Sequence, residues 1–299
     1  MVQILSGKKV SRKVYSDLIP RIDLLKRRDI TPCLAVILVG ENPASKIYVK
    51  SKTRQFESLG LRSKTICLEE SIDETELITN IQSLNETKDV HGILIQLPLP
   101  KQIDDLKILQ LISPEKDVDG FHPENVGLLS IGHPRFISCT PKGIMRIFDH
   151  YDIDLNRKHV VVLGRSNIVG RPISLLTGLK KKGANATTTV CHSGTKNISD
   201  FTTSADVIIS AMGVPKFLKG KMLKKGSVVI DVGINRVETD NEKGYVLVGD
   251  ADWVSIQESV SAATPVPGGV GPITIAMLVE NTVEAAERIM VNSRTKDLN

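Results

Sequence analysis

The chain has 299 residues, 41% of them hydrophobic and 24% charged, with a net charge of +5, a length and composition that suit two ordinary globular domains. Only 4% of the residues are aromatic, and the densest basic run, Lys216 to Lys225, interleaves five lysines with Phe217, Leu218, Met222 and Leu223 as on a solvated helix face, so no nucleic-acid partner is expected. No apolar run is long enough to span a membrane, the N-terminus has no signal- or transit-peptide character, and Cys33, Cys67, Cys139 and Cys191 lack metal-ligand spacing, so we expect a cytoplasmic protein with no membrane partner and no metal.

In chain order, a basic amphipathic helix is expected over 7–28, then a strand at Leu34–Val39 and a helix over 43–59 bounded by Asn42-Pro43 and Gly60. A strand at Lys64–Leu68, a helix over 73–84 opening on Asp73-Glu-Thr-Glu76, and a strand at Gly92–Gln96 follow. Asp154-Leu-Asn-Arg-Lys reads as a linker into a second unit, with strands at His159–Leu163 and near 187–191, 206–210 and 227–231. A polar turn around 238–244 and a strand at Tyr245–Val248 suggest a peripheral hairpin. The last helix, 273–290, is apolar at 273, 275, 276, 278, 279, 283 and 286, so it should pack back on the first domain. Strands alternating with helices give an α/β fold with mainly parallel sheet: a first domain of 1–143 completed by 273–299, and a second of 144–272.

Several segments carry candidate chemistry. Strand 159–163 runs into Gly164-Arg-Ser-Asn-Ile-Val-Gly170, which is either a dinucleotide loop or an ordinary strand-to-helix turn, with Ser166 in place of the second glycine. The next strand ends in His192-Ser193 instead of a carboxylate, and Arg165 lies in the glycine loop. That pattern favours NADP over NAD. Tyr48 and Lys52 share a helix face at i and i+4, as a surface pair or as a site whose lysine loses its proton through burial. Gln96 ends a buried strand, Asp117 and Asp119 alternate in an acidic turn, and Thr264-Pro-Val-Pro-Gly-Gly-Val-Gly-Pro gives the backbone one path and few side chains.

Together with Cys139-Thr-Pro-Lys-Gly, these motifs resemble, in order and over nearly the whole chain, the bifunctional methylenetetrahydrofolate dehydrogenase/methenyltetrahydrofolate cyclohydrolase family. The resemblance implies a homodimer of two α/β domains flanking a cleft, the second Rossmann-like and binding NADP, with tetrahydrofolate derivatives in the cleft. It implies oxidation of 5,10-methylenetetrahydrofolate with NADP+ and hydrolysis of the methenyl product to 10-formyltetrahydrofolate. Lys52 matches the catalytic lysine, Tyr48 the tyrosine that stacks on substrate, Gln96 the amide bonded to the lysine, and Asp119 the carboxylate that grips the pterin. Pro265, Gly268 and Gly269 fall with the substrate. Gly164, Ser166, Ile168, His192 and Ile234 fall with the cofactor, and Arg165 and Ser193 with its 2′-phosphate. The chain departs from the family in Ser138, where proline is common, and in a slightly expanded Thr177–Ala184 segment. On this reading Lys52 is kept neutral by burial and by its bond to Gln96. A nucleotide-binding redox sensor, by contrast, has no use for Tyr48, Lys52, Gln96 and Asp119 together.

Overall fold

The computed structural model describes residues 1–240 and 244–297, with side chains as far as Val291. The chain divides into two compact units, Met1–Lys13 with Thr140–Thr274, and Val14–Cys139 with Ile275–Asn299.

Among the described residues, the first unit holds a six-stranded parallel sheet in the order Gln3–Ile4, Val260–Ala263, Ser227–Asp231, Val207–Ser210, His159–Leu163, Thr187–Cys191. Its central strands His159–Leu163 and Val207–Ser210 are mostly apolar because both faces are covered: Val160 to Leu163, Ile208 and Ile209 are fully buried. The chain leaves strand 159–163 for the edge strand 187–191, then returns past it to 207–210. Strand order therefore reverses at the carboxyl ends of 159–163 and 207–210, where an open α/β sheet forms its ligand crevice. Asn235–Glu238 and Tyr245–Val248 pair antiparallel as the expected hairpin; residues 241–243 of its turn lie outside the described residues.

In the second unit a three-stranded parallel sheet has the order Arg62–Leu68, Cys33–Val39, Gly92–Ile95. Its order reverses at Val39 and Ile95, so the residues just beyond these strand ends border a crevice of this sheet's own. Cys33–Val39 is buried along its whole length. Helix Pro43–Ser58 follows it, capped by Asn42, whose side chain accepts from the amides of Ala44 and Ser45 at 3.0 and 3.1 Å. Helix Glu74–Glu86 begins where Asp73 accepts from Glu76 N at 2.7 Å.

Four expectations need correction. Residues 1–13 cluster with 140–274 instead of with the rest of the first expected domain, because strand Gln3–Ile4 extends the six-stranded sheet beside Val260–Ala263. A two-residue strand leaves no periodic trace in sequence. The run from Lys216 to Lys225 is not a helix face: it holds turns and a short 3-10 turn at Gly220–Met222, with Leu218 and Leu223 buried. At Gly220 a side chain would collide with the Ser255 carbonyl oxygen. Finally, the first helix stops at Lys26, and the last spans Val270–Asp297. The last starts three residues earlier than expected because proline in a first turn lacks only an N–H that has no helical partner there. Residues 298 and 299 lie outside the described residues.

Candidate active site

Helix Pro43–Ser58 places Tyr48 and Lys52 one turn apart. Lys52 is only 5% exposed, and its Nζ sits 4.4 Å from the centre of the Tyr48 ring. The Nζ donates to Gln96 Oε1 at 3.1 Å, and Gln96 Nε2 donates to the Leu97 carbonyl at 2.8 Å. A backbone carbonyl can only accept, so Leu97 fixes the amide with its oxygen toward the lysine. Burial pushes the Lys52 ammonium below the ordinary lysine range, against the negative charge of Asp119. The expectation about Gln96 is therefore corrected: an acceptor orients the amine but does not favour losing its proton. Burial pushes the Tyr48 phenol upward, so it stays neutral.

Asp119 stands in the turn that follows Lys116, beside the outer strand of the second unit's sheet, where Ile93 N donates to Lys116 O at 2.8 Å. Burial raises its carboxyl above the usual range, while Lys52 and a hydrogen bond with the Cys139 thiol pull it down. The alternating carboxylates have different work. Asp117, 1% exposed, accepts from His122 N and Asn125 Nδ2, both at 2.8 Å, and so shapes the turn. Gly120 is required there: its φ is +71°, and a Cβ would lie 2.8 Å from Ser138 N. Tyr48, Lys52, Gln96 and Asp119 thus come from three segments to one place in this unit.

In the other unit, Gly164 (φ +118°) leads out of strand His159–Leu163 with no room for a side chain against the Ala211 carbonyl oxygen. A Cβ on Gly170 would likewise collide with the Gly164 carbonyl oxygen. Arg165, Ser166 and Ile168 are exposed on this loop. Ser166 Oγ accepts from Val169 N and Gly170 N at 3.2 and 3.3 Å, closing the turn that leads into helix Gly170–Gly178. This replacement of the second fingerprint glycine therefore has a local use. His192 Nδ1 accepts from Gly194 N at 3.0 Å, which leaves the ring proton on Nε2. Ser193 is exposed, as is Ile234, whose Cδ1 lies over Gly271. Pro265 and Gly268 (φ +106°) are half-buried, and Gly269 is buried against the Pro265 backbone and the Thr264 side chain. The crevice, the bare glycine backbone, the exposed guanidinium and the absence of a carboxylate at His192-Ser193 fit an NADP diphosphate and 2′-phosphate.

Residues 5–119 match the model of the tetrahydrofolate dehydrogenase/cyclohydrolase catalytic domain, and residues 138–290 match that of the NAD(P)-binding domain of the same proteins. The chain belongs to the tetrahydrofolate dehydrogenase/cyclohydrolase family. The bifunctional protein FolD of Campylobacter hominis is 51% identical over 286 residues, which cover 96% of this chain and 98% of that one. Among solved structures, the bifunctional FolD of Campylobacter jejuni superposes with a TM-score of 0.90 at 48% identity, covering 96% of this chain and 99% of that one. FolD of Trypanosoma brucei, solved with NADP and an inhibitor, gives 0.91 at 35% identity, with coverage of 96% and 98%.

Within this family frame, residues that the sequence reading passed over support the site. Lys116 is buried, and its Nζ donates to the carbonyls of Leu84, Asn85 and Thr87 at 3.1, 2.8 and 2.8 Å, closing the end of helix Glu74–Glu86 against the Asp119 turn. Asn281, fully buried, donates to the Val118 and Ile137 carbonyls at 2.7 and 3.0 Å, bracing both segments that meet at Asp119. A signal for it existed: Glu280-Asn281-Thr282 interrupts the apolar stripe of the last helix. Asp231 accepts from the amides of Gly233, Asp250 and Ala251 at 3.0, 2.9 and 2.9 Å. Burial, with repulsion from Asp250, raises its carboxyl to about 6. Nothing in sequence marked it beyond its place at a strand end. Among the described residues, no group of three or more His, Cys, Asp and Glu is placed to hold a metal ion, and no helix is long and apolar enough to cross a membrane.

Proposed function

We propose that this chain oxidises 5,10-methylenetetrahydrofolate to the methenyl compound with NADP+ and then hydrolyses that product to 10-formyltetrahydrofolate. The observation that carries the reading is the buried Lys52 held by Gln96 beside Tyr48 and Asp119. An amine kept out of water, with its pKa lowered by burial, is suited to general-base work.

NADP+, when bound, accepts the hydride. Gly164, Arg165, Ser166, Ile168, His192, Ser193 and Ile234 would hold it, with Arg165 and Ser193 on the 2′-phosphate. The unit of residues 14–139 with 275–299 binds folate, with Asp119 anchoring the pterin N–H groups and Tyr48 against the ring. Oxidation leaves a cation stabilised by the folate's own nitrogens, so the residues chiefly orient the ring. For hydrolysis, the neutral Lys52 takes a proton from the attacking water as its oxygen bonds to the methenyl carbon. When the carbon–N5 bond breaks, the lysine returns a proton to N5, and the hydroxyl proton leaves as the formyl carbonyl forms. The net reaction consumes one water and releases one proton. The reading includes a cytoplasmic homodimer, for which the family resemblance is the support.

Incubation with 5,10-methylenetetrahydrofolate and NADP+ should produce NADPH, transient methenyltetrahydrofolate absorbance, and then 10-formyltetrahydrofolate. No NADPH in that assay would overturn the reading.

A further inference from the structure

We infer that Asp250 is a positioning residue for the nucleotide, setting from outside the pocket two backbone segments that wall it. This rests on the nucleotide reading of the Gly164 loop. Asp250 is fully buried, two residues beyond strand Tyr245–Val248. Its Oδ2 accepts from Met212 N at 2.7 Å and from Gly213 N at 3.0 Å. Its Oδ1 accepts from Asn235 Nδ2 at 2.9 Å. One carboxylate thus ties the turn after strand Val207–Ser210 to the residue that follows Ile234.

Both attachments bear on the crevice. The turn after Ser210 begins with Ala211, whose carbonyl oxygen is packed so closely on Gly164 that a Cβ there would collide with it. Where Met212 and Gly213 are held therefore decides how deep the glycine loop sits. On the other side, Asn235 fixes the base of Ile234, whose exposed side chain lies over Gly271. The carboxylate is itself held in place, since Asp250 N and Ala251 N both donate to Asp231 at 2.9 Å, and Leu218 N donates to Asp250 O at 2.9 Å. Charge-assisted bonds to N–H donors are stronger and geometrically stricter than neutral ones, so a carboxylate at this junction sets a tighter position than an amide. In Asp250→Asn, an NH2 toward Met212 N and Gly213 N sets donor against donor, and an NH2 toward Asn235 leaves those two amides a neutral acceptor in place of a charged one, so the wall after Ser210 is held less strictly either way.

The family's two reactions separate positioning from general bracing, because ring opening by water uses no nicotinamide. In Asp250→Asn, the Kd for NADP+ measured by calorimetry and the KM for NADP+ in oxidation should both rise about ten-fold or more. Hydrolysis of methenyltetrahydrofolate and the far-UV spectrum should stay within about two-fold of wild type. Asn235→Ala, which frees one wall only, should give a smaller loss of the same kind and keeps the test open if Asp250→Asn does not fold. Unchanged NADP+ affinity in both variants, or hydrolysis falling in step with oxidation, overturns the inference. Wild-type protein that does not bind NADP+ overturns the nucleotide reading and this inference with it; wild-type binding with unaffected variants overturns this inference alone.

Discussion

Lys52 combines two opposing influences: burial, which favours the neutral amine, and Asp119, which favours the ammonium. Burial is the larger, so the neutral form that a general base needs is populated well below the ~10.4 of free lysine. Hydrolysis should therefore rise with pH on a limb whose midpoint lies below that value, while oxidation, which removes no proton through an external base, should lack that limb. Lys52→Met keeps length and apolar packing but removes the amine. Hydrolysis should fall by about 10²–10⁴-fold, with oxidation retained in part and methenyltetrahydrofolate accumulating, as followed by its absorbance with NADPH measured separately. Hydrolysis at the wild-type rate would mean that Lys52 is not the base. Arg165 is exposed on the glycine loop, and losing one charge-assisted phosphate contact costs about 1.5–3 kcal/mol. Arg165→Ala should thus raise the KM for NADP+ roughly ten-fold or more and leave that for NAD+ nearly unchanged. An unaltered preference would remove Arg165 from the 2′-phosphate.

At the scale of elements, the strands of the second unit's sheet are joined at their amino ends by a histidine. His91 N donates to Cys33 O at 2.9 Å, and Cys33 N donates back to His91 Nδ1 at 3.2 Å. The pair starts the register in which Leu34 faces Gly92. His91 is 5% exposed, and burial, with the positive charges of Arg62 and Lys116, lowers it to about 4. The sign follows directly. Between about 6.5 and about 4, the unfolded chain takes up a proton that the folded ring refuses, so stability falls as pH falls through that window. Allowing for partial solvent screening, the loss should be about 2 kcal/mol. His91→Asn keeps an acceptor for Cys33 N without a titrating group. Urea unfolding at several pH values should therefore show a flatter acid limb in the variant; parallel limbs would refute the assignment.

For the molecule as a whole, the division into units does not follow the order of the chain. The stretch 14–139 is completed by 275–299, and the last helix contributes Ala276, Met277, Leu278, Val279, Val283 and Ala286, all buried, as well as Asn281. A fully buried Val, Leu or Met side chain is worth about 1.5–3 kcal/mol, so losing several together is comparable to the ~5–15 kcal/mol that holds a domain folded. A chain ending at residue 269 should therefore lose both activities and the cooperative unfolding of the unit built on residues 14–139. Retained hydrolysis in that truncation would show that 14–139 folds alone.

What was legible in the sequence was local. Cys33–Val39 and His159–Leu163 announce themselves as strands because a strand buried on both faces must be apolar throughout. Asn42-Pro43 and Asp73 mark helix starts because the unpaired amides of a first turn need an acceptor. Tyr48 and Lys52 fall on one face by helical spacing alone. The sequence by itself thus determined the α/β class and the family, and it set Tyr48 and Lys52 on one helix face. Only tertiary structure decided that Gln96 accepts from Lys52, that Asp117 shapes a turn while Asp119 acts on the lysine, that Asn281 and Lys116 brace that turn, and that Gln3–Ile4 extends the distant sheet. Each depends on groups far apart in the chain, such as Asn281 and Val118, and no periodicity records such a pairing. Burial, which sets the protonation of Lys52, is likewise created by the neighbours that folding brings.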